Sequence, residues 1–85
     1  MIAPGIQEDI LPLDLLQANE EGSIVELIGD EAQIHRLAEM GLRVGANIRM
    51  VRPGAPCLLA IDGKRFSLRL NHDLDVLVAT VAAAY

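Results

Sequence analysis

The pair Asp62-Gly63 constrains this chain more than any other feature, because Asp-Gly suits the two-residue type I′ turn that closes an antiparallel hairpin. A turn at these two positions sets Ile61 opposite Lys64, and the flanking pattern agrees with that register. Leu59 then faces Phe66 and Cys57 faces Leu68 on one apolar side, while Ala60 pairs with Arg65 and Leu58 with Ser67 on the other. Turn chemistry and alternation select the same pairing, so residues 57–61 and 64–70 are read as two strands of an antiparallel sheet.

More strands flank the hairpin. Ala46, Ile48 and Met50 alternate with Asn47 and Arg49, giving a half-buried strand that Pro53-Gly54 stops. Residues 23–28 read as a strand whose phase is ambiguous, because apolar side chains fall on both faces. A last strand is expected near 75–81. Before these, Leu13 to Ala18 reads as a short helical turn with Asp14 as its cap, Gln17 at the reciprocal position and Leu13 stapled to Ala18.

The segment from Asp30 to Met40 reads as a helix. Asp30 caps it, Gln33 returns a hydrogen bond and Glu31 suits the positive helix start. Ile34, Leu37, Ala38 and Gly41 fall at helical spacing and give it one apolar stripe. Gly41 is where a left-handed C′ residue belongs, with Leu42 packing back on Leu37 in a Schellman arrangement. Five strands and one good helix in 85 residues leave room for a single core. The expected fold is mainly β: a small, strongly curved or closed barrel with one inserted α-helix and a short N-terminal helical turn.

Composition narrows the function. Only 2% of residues are aromatic, which removes the stacking platforms used for single-stranded nucleic acid or proline-rich peptides. The net charge of −5 is the wrong sign for neutralising phosphates, so no nucleic-acid partner is expected. The charge is uneven: residues 1–35 carry eight acids and no base, whereas residues 36–85 carry seven bases and four acids. Such polarity fits an oriented protein contact, and plain solubility explains it as well. Arg49, Arg65 and Arg69 are outward on their strands and form a candidate basic patch for an acidic partner, or scattered charge balanced by the acidic half. Cys57 is the one cysteine, so no internal disulfide or cysteine-only metal cage can form, and a reducing, cytoplasmic setting fits. No secretory signal is read at the start, and the apolar tail from Val76 is shorter than the roughly 20 residues of a membrane span. No direct membrane insertion is expected.

The catalytic motifs are missing: there is no phosphate-binding glycine loop, and neither Ser23 nor Ser67 lies in a nucleophile elbow. No enzymatic activity is expected and no cofactor is required. A divalent transition metal such as Fe²⁺ or Zn²⁺ has a main candidate site and a second, looser one. Glu31, His35 and Glu39 recur every four residues on one stripe of the helix and could hold an ion with a further ligand from a loop or across a homodimer. An ordinary solvated helix face has the same spacing. His72, Asp73 and Asp75 form a looser set that reads equally as a capped polar turn. Cys57 alternates inward beside Leu59 and reads as a small buried hydrophobe.

The run His35-Arg36-Leu37-Ala38-Glu39-Met40-Gly41-Leu42-Arg43-Val44-Gly45-Ala46-Asn47-Ile48 resembles the helix-to-strand signature of FeoA proteins, small cytosolic companions of the ferrous-iron transporter FeoB. Leu13, Gly22-Ser23-Ile24-Val25, Phe66-Ser67-Leu68-Arg69 and Leu77-Val78-Ala79 agree with the same family. The resemblance covers residues 11–81, between an N-terminal segment 1–10 and a tail 82–85. Val44 stands where the family often has Pro, a small loss of turn rigidity. The resemblance implies an SH3-like barrel of about five strands and a non-enzymatic role in bacterial ferrous iron uptake. It also implies docking to the transporter's cytosolic, GTPase-containing region. The residues expected to dock are the corner Gly41, Leu42, Arg43 and Gly45, together with Arg49, Arg65 and Arg69. The alternative is a metal-responsive protein that uses Glu31, His35 and Glu39. The C-terminal domain of metal-dependent repressors resembles the same module, but this acidic chain carries no helix-turn-helix.

Overall fold

The computed structural model describes residues 6–70 and 74–83. The strands are β1 Ile6–Pro12, β2 Glu21–Gly29, β3 Asn47–Arg52, β4 Cys57–Ile61, β5 Lys64–Leu68 and β6 Leu74–Ala83. One helix, α1, spans Glu31–Glu39, and Leu13–Leu15 form a single 3-10 turn. The strands form one antiparallel sheet in the order β1-β6-β2-β3-β4-β5. The mainly β class with one helix is as expected. Among the described residues the sheet has six strands rather than five and stays open, with β1 and β5 as its edges.

The added strand, β1, pairs with β6 from Ile6 opposite Ala83 to Pro12 opposite Leu77. It draws residues 6–10 into the sheet. The β2–β6 ladder stops at Ser23 opposite Ala79, so β1 and β6 continue past β2 as a two-stranded ribbon. Register shifts between Ile24 and Glu26 of β2, and between Met50 and Arg52 of β3, are bulges that increase twist and wrap the sheet over its core. The first bulge leaves Val25 and Glu26 both exposed.

The core gathers Ile24, Ile48, Met50, Leu59, Val76 and Val78 from the central strands, with Leu13 and Leu16 from the N-terminal turn and Leu37 and Leu42 from the helix and its exit. Full burial of each aliphatic side chain contributes about 1.5–3 kcal/mol. Hydrogen bonding corrects the N-terminal expectation. Asp14 lies inside the 3-10 turn and caps nothing; Pro12 precedes the turn, and no side chain caps it. Ala18 is exposed and makes no staple. The side chain of Glu20 instead accepts from the Gln17 N–H at 2.6 Å.

The helix and hairpin form as their sequences direct. The Asp30 side chain accepts from the Gln33 N–H at 3.2 Å. Gly41 has φ +101°, its N–H donates to the Ala38 carbonyl at 3.0 Å and the Leu42 N–H to the Leu37 carbonyl at 2.9 Å. These two bonds define the Schellman motif. Asp62 and Gly63 both have positive φ, at 51° and 79°, and all five cross-strand pairs expected of the hairpin are present.

Candidate interaction surface

The Schellman exit directs the chain from α1 into a corner, residues 41–46, anchored to the centre of the sheet. The Gly45 N–H donates to the Ile24 carbonyl at 2.8 Å, and the Ile24 N–H donates to the Ala46 carbonyl at 2.9 Å. Ile24 is buried in β2, so the corner is tied to a core strand while the side chains of Arg43 and Val44 face water. Arg43, Val44 and Gly45 are exposed; Leu42 is buried in the core and holds the corner from beneath. The corner joins the turn of the β4–β5 hairpin to form an open cleft of about 330 Å³, lined by Gly41, Arg43, Val44, Gly45, Asn47 and Asp62, with Ala46. Asp62 is legible in the sequence as a turn residue but not as a wall of this cleft, because only the fold brings the hairpin tip to the helix exit.

Arg49 of β3 and Arg65 of β5 are exposed on the face that they share with Ala60 of β4. Both stand opposite Ala60, which makes a row Arg49–Ala60–Arg65 across three strands. Two strand spacings put the two backbones about 9.6 Å apart. Small Ala60 between them leaves both guanidinium stems free to lie over the sheet. Arg52 stands opposite Leu58, which is itself opposite Ser67, and forms a second row that sequence reasoning missed; the bulge after Met50 places Arg52 there. Arg69 is exposed just past the end of β5.

Among the described residues, none of these arginines has a carboxylate within salt-bridge distance. Glu21 lies directly opposite Arg49 in the β2–β3 ladder and marks the acidic border of the patch. Asn47 lines the corner cleft and shares the β3 face with Arg49, so cleft and arginine rows form one continuous surface. A second open cleft of about 430 Å³, with Glu21, Ser23 and Asn47 among its walls, borders the same face.

The metal candidates are arranged differently. His35 Nε2 lies 3.0 Å from Glu39 Oε1, a surface pair one helical turn apart with side chains 76% and 65% exposed. Glu31 is exposed at the helix start. Among the described residues no three His, Cys, Asp or Glu side chains are grouped to hold a metal ion. His72 and Asp73 lie outside the described residues, and Asp75 is an exposed residue of β6. Cys57 is buried as expected; its Sγ donates to the Leu68 carbonyl at 3.3 Å, and burial pushes its thiol pKa above the ordinary 9.0.

The fold is a small antiparallel β module with one helix and a solvent-open cationic face. Residues 11–72 match the FeoA domain, and the chain belongs to that family. Two solved structures share the fold. The crystal structure of an iron uptake regulatory protein (FeoA) superposes with a TM-score of 0.70 at 24% identity, covering 82% of this chain and 99% of that one. The solution NMR structure of the FeoA protein from Chlorobium tepidum gives 0.69 at 24% identity, over 88% of this chain and 71% of that one. No curated protein matches the sequence. Among the described residues no helix is long and apolar enough to cross a membrane.

Proposed function

We propose that this protein is a non-enzymatic accessory and regulatory component of ferrous iron uptake that docks, in the cytoplasm, on the cytosolic region of a FeoB-type transporter. Membership of the FeoA domain family supports the setting, as does the description of one structural relative as an iron uptake regulatory protein. The observation that carries the docking reading is the continuous surface from Arg43 through Asn47 to Arg49, Arg65 and Arg69. Its cations face solvent, and among the described residues no carboxylate neutralises them within salt-bridge distance. A rigid cationic face steers an acidic partner and fixes its orientation, with the corner cleft supplying shape. The reading assigns binding to these residues and no reaction.

The test is an amide NMR titration of the labelled chain with the transporter's cytosolic domain, repeated with Fe²⁺ under anaerobic conditions. Shifts confined to the corner and the arginine rows are expected with the domain alone. Shifts that require Fe²⁺ and centre on Glu31, His35 and Glu39 would replace docking with the metal-responsive reading.

A further inference from the structure

β5 is the last strand of the sheet order, and its outer edge has no partner strand among the described residues. In a two-residue hairpin the positions flanking the turn exchange both ladder bonds, and such pairs then recur at every second residue. Ile61/Lys64, Leu59/Phe66 and Cys57/Leu68 are therefore the bonded pairs. Arg65 and Ser67 direct their N–H and C=O groups away from β4, toward open solvent. Four backbone groups in a row await a strand.

The two sides of that edge differ. On the inner side lies an apolar cleft of about 50 Å³ between the end of α1 and the sheet, walled by Leu37, Met40, Leu42, Leu59, Phe66 and Leu68. Met40 is 47% exposed, and Phe66 and Leu68 are half-buried, so this cleft opens onto the edge. On the outer side stand Arg65 and Ser67, and Arg69 is exposed one residue past the end of the strand.

We propose that the β5 edge captures an extended segment of a partner protein by strand addition, and that the segment reads acid, apolar, any residue, apolar, acid. Side chains directly opposite one another share a face of the sheet. Residues opposite Phe66 and Leu68 thus pack beside those side chains at the rim of the apolar cleft, while those opposite Arg65 and Arg69 meet guanidinium groups. Main-chain hydrogen bonds supply affinity and the alternating side chains supply specificity. A second copy paired edge to edge about Ser67 sets Arg65 against Arg69, like charges directly opposite, which disfavours self-pairing of β5. The inference deepens the docking reading and rests on it only for the source of the segment.

The test uses the whole chain and a blocked peptide containing Glu-Val-Thr-Val-Glu, with Lys replacing both Glu in the control. Binding of the acidic peptide is expected to slow amide exchange at Arg65 and Ser67 at least about tenfold, because exchange reports hydrogen-bond opening. Arg65→Glu with Arg69→Glu should weaken it at least about tenfold, equivalent to 1.4 kcal/mol. Ser67→Pro removes an outward N–H without touching the β4 ladder, a position where edge strands accept proline. It should abolish binding while the thermal transition persists. Equal affinity for the lysine peptide, or protection elsewhere, overturns the proposal. So does edge protection that appears without peptide and grows with protein concentration, which assigns the edge to a second copy. If the peptide fails while the transporter domain still shifts the arginine rows, strand addition falls and docking stands. If the peptide binds and the domain does not, strand addition stands and the assigned partner falls.

Discussion

Replacing Gly41 with Ala tests how the corner is held. An added Cβ would find Ile61 Cγ2 at 3.8 Å as its nearest neighbour, which is ordinary contact, so crowding contributes nothing. The backbone is what resists, because Gly41 has φ +101°. An L-residue held in left-handed geometry costs about 1–2 kcal/mol, and the smaller freedom of Ala in the unfolded chain offsets about 0.4–1 kcal/mol of it. The net loss is about 1 kcal/mol, which lowers Tm by about 4–8 °C in a domain of this size. Gly41→Asn should lose less, because Asn tolerates positive φ. Gly22→Ala should lose more for a different reason. Its Cβ would sit 2.8 Å from the Ala79 carbonyl oxygen, a backbone atom in the β2–β6 ladder that cannot move aside cheaply. Urea unfolding followed by circular dichroism should rank the parent chain first, then Gly41→Asn, then Gly41→Ala and last Gly22→Ala, with m unchanged. Gly41→Ala as stable as the parent, with the amide signals of Arg43, Gly45 and Asp62 unmoved, would refute the argument that the positive φ of the Schellman turn sets the corner.

Leu59 is fully buried between Met50 and Phe66 on the neighbouring strands, so Leu59→Ala should cost about 2–5 kcal/mol in equilibrium unfolding. Asp30→Ala removes the cap bond to Gln33 and should cost about 1 kcal/mol, seen as lower thermal stability with faster amide exchange in the first turn of α1. Burial raises the Cys57 thiol pKa, so between the unfolded value and the higher folded one the native state holds more protons. Stability should therefore fall as pH rises past 9.0, a slope that Cys57→Ala removes in pH-dependent denaturation. Alkylation of the native thiol at neutral pH should be slow and should track unfolding.

The legible parts of the fold are those whose determinants lie close in sequence. Asp30, Gly41 and Leu42 sit within one helix and its exit, and Asp62-Gly63 sets the hairpin register alone. The strand β1 is hidden because Gln7-Glu8-Asp9 breaks apolar alternation and its partner β6 lies at the far end of the chain. The phase of β2 is unreadable because a bulge at Ile24/Glu26 switches faces midway. Arg49 and Arg65 are legible as outward residues, since strand alternation gives facing directly, whereas Arg69 lies past β5, which ends at Leu68 rather than at residue 70. Arg52 is not legible in this way, because the bulge after Met50 resets the count, and Asp62 joins the corner only through tertiary packing.

The most direct test of the docking account is the affinity of the transporter's cytosolic domain for this chain and for the variant with Arg49, Arg65 and Arg69 all changed to Glu, measured by calorimetry at low and physiological salt. Exposed charges are screened over about 8 Å at physiological ionic strength, so binding to the parent should weaken as salt rises. The triple reversal should lower affinity at least about tenfold, chiefly through slower association, without loss of folding. Equal affinity for parent and variant, indifferent to salt, would contradict the assignment of the arginine face as the docking surface.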